Sequence, residues 1–225
     1  MNVLTDRFLR SLPLWFAVLL AACTTPPAPP PEAAPTQPAS RSYPYATGTL
    51  TAETGPAICR LTVQGTLDHA AVRAIGPALQ QLAAAPCPVR VATLRSTGGV
   101  IGDAITLGAM LRNRGYQTEL PAGQVCDSPC ILTFAAGSAR WVHQGPPAAQ
   151  VRFTQIPPDL DFGRQTCATE LSRGQQLTLA RYLRAMLPEG TANAVYQQWL
   201  QADCRTSGQA TPAQALAMGL ATGLR

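Results

Sequence analysis

The 225-residue chain contains no lysine: all 17 of its basic residues are arginine, set against 12 acids. The absence excludes a Ser–Lys dyad outright. The arginines are scattered rather than clustered, so there is no nucleic-acid footprint. Arginine-only usage beside abundant Ala and Pro reads as genome composition. Histidine is almost as scarce, with only His69 and His143. Both lie far in sequence from the cysteines, whose spacings do not resemble zinc pairs, so no metal site and no cofactor is expected. There is no internal repeat, and the one N-terminal apolar run, Leu12 to Ala22, is too short to span a bilayer comfortably.

That run carries its own message. Arg7 and Arg10 precede it as a positive n-region, and it ends Leu20-Ala21-Ala22-Cys23. The ending resembles a bacterial lipobox, with Cys23 as the lipidated residue; the alternative is an ordinary secretory signal followed by an incidental cysteine. Thr24 in place of Asp favours, by resemblance to sorted lipoproteins, the periplasmic side of the outer membrane. The expected layout is a signal peptide over residues 1–22, a lipidated Cys23 with a Pro-rich linker to Thr47, and one domain from Gly48 to Arg225. The membrane is then a partner only through the lipid anchor.

Beyond Cys23 there are six cysteines, an even number that suggests disulfides in an exported chain. Cys59 lies on the first predicted strand and Cys87 just before the second, so these two make one candidate pair. Cys167 with Cys204 is a second, and Cys126 with Cys130 would close a small loop around Ser128.

The pattern alternates. Strands are predicted at Ala57–Gln64, Val89–Ser96, Tyr116–Leu120, Ala139–His143 and Gln150–Gln155. Helices are predicted at Asp68–Ala84, Ile101–Arg114, Ser128 to about Ala136, Glu170–Met186 and Thr191–Ala202. A last helix follows Thr211, with Pro212 at its first position, Gln214 completing a capping box and Gly219 as its stop. Such alternation predicts an α/β domain with a largely parallel sheet.

Two features of this layout carry chemistry. Gly98-Gly99 closes a buried strand and opens a helix, where a backbone N–H can face a reacting carbonyl. Ser128, inside Cys126-Asp127-Ser128-Pro129-Cys130, opens the next helix, as a nucleophile does. Its plainer reading is a helix N-cap before proline.

The run Leu94-Arg95-Ser96-Thr97-Gly98-Gly99, the serine turn, and Thr211, Pro212, Gln214, Met218 and Leu220 together resemble the Clp protease proteolytic subunit and its crotonase-fold relatives. The likeness runs from Ala57 to Arg225 and is closest to the periplasmic branch in which cysteines flank the serine. It implies a spiral of βαβ units ending in helices. It also implies a serine nucleophile, a His base on a later strand, and an Asp that orients the His. The oxyanion would be held by a Gly of the pair and by the N–H after the serine.

Transferred residue by residue, that site is incomplete. Ser128, Gly98 and Gly99 match, and Asp203 lies near the Asp position. The base position is Thr154, which cannot accept a proton at neutral pH, and the residue after the serine is Pro129, which has no N–H. His143, in a similar Val-His-Gln setting, is the alternative base. His69 reads as a surface residue and Asp127 as turn chemistry. Cys126 or Cys130 would serve as a thiol nucleophile only if reduced.

The expected function is binding without cleavage: a peptide or an envelope protein held in the cleft beside Gly98-Gly99. The alternatives are a divergent serine hydrolase using Ser128 with His143, and a purely structural role in the envelope. Relatives assemble into rings or trimers, so a homo-oligomer is an implied partner.

Overall fold

The computed structural model describes residues 39–96, 98–155, 172–202 and 207–225. The chain opens with three strands, β1 (Ala39–Tyr45), β2 (Gly48–Thr54) and β3 (Ile58–Gly65), which form an antiparallel meander. Helix α1 (His69–Ala83) follows, capped by Asp68, whose carboxylate accepts the Ala71 N–H. Strand β4 (Val89–Arg95) leads through the Gly pair into α2 (Ile101–Arg112). Then come β5 (Gln117–Leu120), β6 (Val125–Asp127), α3 (Ser128–Ala135), β7 (Arg140–Val142) and β8 (Gln150–Phe153). Helices α4 (Arg173–Met186) and α5 (Glu189–Gln201) precede β9 (Gly208–Ala210), α6 (Pro212–Ala217) and β10 (Gly223–Leu224). The capping box of α6 forms as the sequence pattern implies, with Thr211 accepting from the Gln214 N–H and Gln214 reaching back to the Thr211 N–H.

Seven strands form one sheet in the order β1-β2-β3-β4-β5-β7-β10, parallel from β3 onward. A second sheet has the order β6-β8-β9. The large sheet is two-faced because its strands alternate. Cys59, Leu61 and Val63 on β3, Ala92 and Leu94 on β4 and Leu120 on β5 point into the core. They meet Ile75, Leu79 and Leu82 of α1 and Leu107 and Leu111 of α2. Burying each such Leu or Ile fully is worth about 1.5–3 kcal/mol. The opposite face carries Arg60, Thr62, Thr93 and Glu119.

Two arginines show what a lysine-free sequence can build. Arg140, buried in the core, donates to the carbonyls of Leu220, Gly137 and Gly219 at 2.6, 3.0 and 3.2 Å. Arg112 bridges the carbonyls of Ala136, Gly137 and Met186. Each guanidinium satisfies carbonyls at helix C-termini from several directions, which a single ammonium cannot reproduce.

The domain begins earlier than expected. Residues 39–47 were expected to be linker, yet β1 pairs along its whole length with β2, from Ala39 opposite Thr54 to Tyr45 opposite Gly48. Tyr43 and Tyr45 alternate toward the core side, and the Tyr43 hydroxyl donates to Gln81 Oε1 of α1 at 2.7 Å. Pro44 sits between them on the sheet's outermost strand, where its missing N–H costs nothing. Cys59–Cys87 and Cys126–Cys130 are paired as disulfides. Cys23, Cys167, Cys204 and Asp203 lie outside the described residues.

Candidate functional site

Ser128 stands where β6 turns into α3, with Asp127 before the helix and Pro129 in its first turn. The Cys126–Cys130 disulfide ties the last strand residues to the first helical turn, so the serine sits inside a closed loop. Asp127 turns away from Ser128: its two carboxylate oxygens take Arg152 Nε and Nη2 of β8 at 2.6 and 2.9 Å.

The serine hydroxyl has no spare bonding capacity. It is 0% exposed. Its proton goes to the Thr154 carbonyl oxygen at 2.6 Å, because a carbonyl can only accept. The oxygen in turn accepts the Thr154 N–H at 2.8 Å and the Trp199 Nε1–H at 2.7 Å. The Thr154 hydroxyl is a further, longer donor to the same oxygen, at 3.2 Å. One donor and two acceptor sites are the whole inventory of a hydroxyl, and all are used by the protein itself. Thr154 therefore ends directly beside Ser128, with no imidazole there.

Trp199 was missed in the sequence. It comes from α5, 71 residues downstream of Ser128, where Ala192, Val195 and Trp199 form a narrow buried stripe. That stripe is legible as a helix face packed on a core; nothing in it announces an indole N–H aimed at a serine. The ring also meets Phe153 of β8 edge-to-face, with centroids 5.6 Å apart.

The two glycines of the other wall differ in role. Gly99 has φ +151°, and a Cβ there would lie 2.2 Å from the Leu67 carbonyl oxygen. It pairs with Leu67 in a parallel bridge, through Leu67 N to Gly98 O at 3.0 Å and Val100 N to Leu67 O at 2.8 Å. Those bonds leave the N–H and C=O of Gly99 directed away from Leu67. At Gly98 an added Cβ would meet nothing within 4 Å, so open space lies in front of it. The Gly98 N–H makes a long 3.4 Å bond to Ser96 Oγ. Gln124 joins the two walls, donating from Nε2 to the carbonyls of Ser96 and Val125 at 2.9 and 2.7 Å.

His143 does not join this site, which corrects the alternative expectation for the base. Its Nε2 lies 2.5 Å from Glu119 Oε1 at the polar face of the large sheet, whereas α3 packs against the other face through Thr118 Oγ1, which donates to the Phe134 carbonyl. Glu119, only 5% exposed, also takes Arg60 at 2.7 Å and Arg225 at 3.3 Å. Burial alone would raise its carboxyl pKa. The bonds from His143 and Arg60 and the charges of Arg60 and Arg225 outweigh that and hold it below the usual range. Among the described residues no three His, Cys, Asp or Glu are grouped to hold a metal ion.

No family model matches the chain, and no curated protein sequence does. Solved structures do. A probable enoyl-CoA hydratase of Mycobacterium tuberculosis superposes with TM-score 0.52 at 12% identity, over 78% of this chain and 74% of that one. An enoyl-CoA hydratase of Geobacillus kaustophilus gives TM-score 0.52 at 14% identity, over 83% and 69%. The likeness is one of fold: an α/β architecture with a mainly parallel sheet and flanking helices, of the crotonase-like kind.

Proposed function

We propose that this chain is a binding protein built on a hydrolase-type scaffold, taking an extended peptide or a segment of an envelope protein beside Gly98-Gly99 without cleaving it. In this reading Cys23 carries the lipid and the linker holds the domain on the periplasmic side of the outer membrane. The observation that carries the reading is the state of Ser128. Its hydroxyl proton is donated to the Thr154 carbonyl, its lone pairs are taken by Thr154 N–H and Trp199 Nε1–H, and no histidine touches it. A serine so engaged lacks the base that would activate it, and Pro129 offers no N–H to an oxyanion. Hydratase chemistry on CoA esters, named for the two similar structures, is not inferred from a likeness of fold.

The backbone groups beside Gly99 and the open space before Gly98 are what a bound segment would use. The test is fluorescence anisotropy with labelled unstructured peptides on the full oxidised chain, followed by mass analysis of the recovered peptide. Binding with the peptide intact, weakened by Gly98→Val, is expected. Gly98→Val is chosen because the side chain enters open space and leaves the fold undisturbed. Truncated peptides would overturn the reading in favour of hydrolysis, and absence of binding would overturn it altogether.

A further inference from the structure

We propose that Gln124 is the positioning residue of the peptide site: its side-chain amide sets the gap between the glycine turn and the serine turn, and through that gap the affinity for a segment lying beside Gly98-Gly99. This rests on the peptide-binding reading and adds the residue that shapes that same site. Sheet pairing does not join the two turns. Strand β4 pairs with β5 only as far as Thr93 opposite Glu119, so Ser96 and the glycines run on beyond the last pair. The serine turn follows β6, which belongs to the other sheet and pairs with β8. On its far side the glycine turn is held by Leu67, through the Gly98 carbonyl and the Val100 N–H. Toward the serine turn, what spans the gap is a side chain.

Gln124 is anchored at one end and reaches across with the other. Its backbone is fixed on the serine side, where the N–H donates to the Pro121 carbonyl at 3.1 Å and the C=O accepts from the Gln150 N–H at 2.8 Å. Its Nε2 lies 2.9 Å from the Ser96 carbonyl oxygen and 2.7 Å from that of Val125. Both partners can only accept, so the atom between them is the amide nitrogen, and both of its hydrogens are spent. Ser96 is fully buried, so its carbonyl depends on this bond in place of water. The Ser96 hydroxyl in turn donates to the Gly98 carbonyl at 3.0 Å and accepts the Gly98 N–H at 3.4 Å. A shift of Ser96 is therefore passed to Gly98. Gln124, Gly98 and Gly99 all stay partly exposed, and the space before Gly98 is open, so the tie stands beside a surface that a ligand can reach.

A double-mutant cycle on the full oxidised chain tests this, read by fluorescence anisotropy with a labelled, capped alanine-rich hexapeptide. Gln124→Met keeps the length of the side chain and removes both N–H donors. It is expected to weaken binding about tenfold, the effect of one well-placed hydrogen bond. Gly98→Val is expected to cost about tenfold in the parent. In the Gln124→Met background it should cost less than about threefold, because an untied turn can carry the new side chain aside. A residue that only supports the fold would leave the two costs multiplying, as they do at uncoupled positions. Costs that multiply, or Gln124→Met binding as tightly as the parent, overturn the inference and leave the peptide reading standing. Should Gln124→Met not fold, Gln124→Asn takes its place: it keeps the amide and, one methylene shorter, gives up the reach to Ser96. The same outcomes then decide. A folded parent that binds no peptide sinks the peptide reading and this inference with it.

Discussion

The indole N–H of Trp199 donates to Ser128 Oγ at 2.7 Å, joining α5 to the start of α3 across 71 residues. The bond matters because it occupies a lone pair that a nucleophilic serine would direct at a carbonyl carbon. With the Thr154 backbone on its other two sites, Ser128 is a junction of three elements.

A junction and a nucleophile respond oppositely to truncation. Catalytic groups are commonly held at some expense of stability, so removing one is neutral or stabilising. Ser128→Ala should instead destabilise by about 2–4 kcal/mol, since the Trp199 N–H and the Thr154 N–H and C=O lose their partner. Urea unfolding followed by Trp emission measures this. A variant as stable as the parent would contradict the junction.

Restoring the missing base should not restore hydrolysis. Thr154→His places an imidazole beside Ser128, yet Pro129 still lacks an N–H and the indole still covers the oxygen. Loss of one oxyanion donor alone costs ~10²–10³ in rate. The expected outcome is no release of p-nitrophenol from p-nitrophenyl acetate above the parent's rate. A Ser128-dependent increase would show that only the base was lacking.

Acid stability should be set in part by Glu119. Its folded pKa is depressed, so the stabilisation it contributes is complete above the unfolded value of about 4.3 and is lost as pH falls through the lower folded value. Glu119→Gln should flatten the fall in Tm below that pH, and at neutral pH it should lower Tm by leaving Arg60 and Arg225 without their countercharge. Parallel Tm–pH curves for parent and variant would remove Glu119 from this role.

Arg140→Lys tests whether a lysine can fill a guanidinium's place in this fold. One ammonium cannot reach the carbonyls of Leu220, Gly137 and Gly219 in their present directions. A loss of about 2–3 kcal/mol follows, or roughly 4–12 °C in Tm for a domain of this size. An unchanged Tm would mean that water takes over those carbonyls.

Much of the fold was written in local pattern. The apolar run of β4, the glycine pair and α2 follow one another in the chain as they do in space, and the capping box at Thr211 fixes the start of α6. Strands of two or three residues, such as β9 and β10, are too short to show a period. Strand β1 was hidden by the proline run that precedes it, although Tyr43 and Tyr45 flank Pro44 at the spacing of a strand. The Thr154 and Pro129 substitutions at the site were legible because each removes a chemical function by itself. Trp199 was not, because its role depends on the packing of α5 against β8, and no local signal encodes a contact 71 residues long.

The most direct test is intact-mass analysis of the full oxidised chain after exposure to a fluorophosphonate probe, beside a Ser128→Ala control. No adduct on a protein shown to be folded is the expected result. A stoichiometric adduct mapped to Ser128 would mean that the hydroxyl leaves Thr154 and Trp199 to act as a nucleophile, and would contradict its role as a junction.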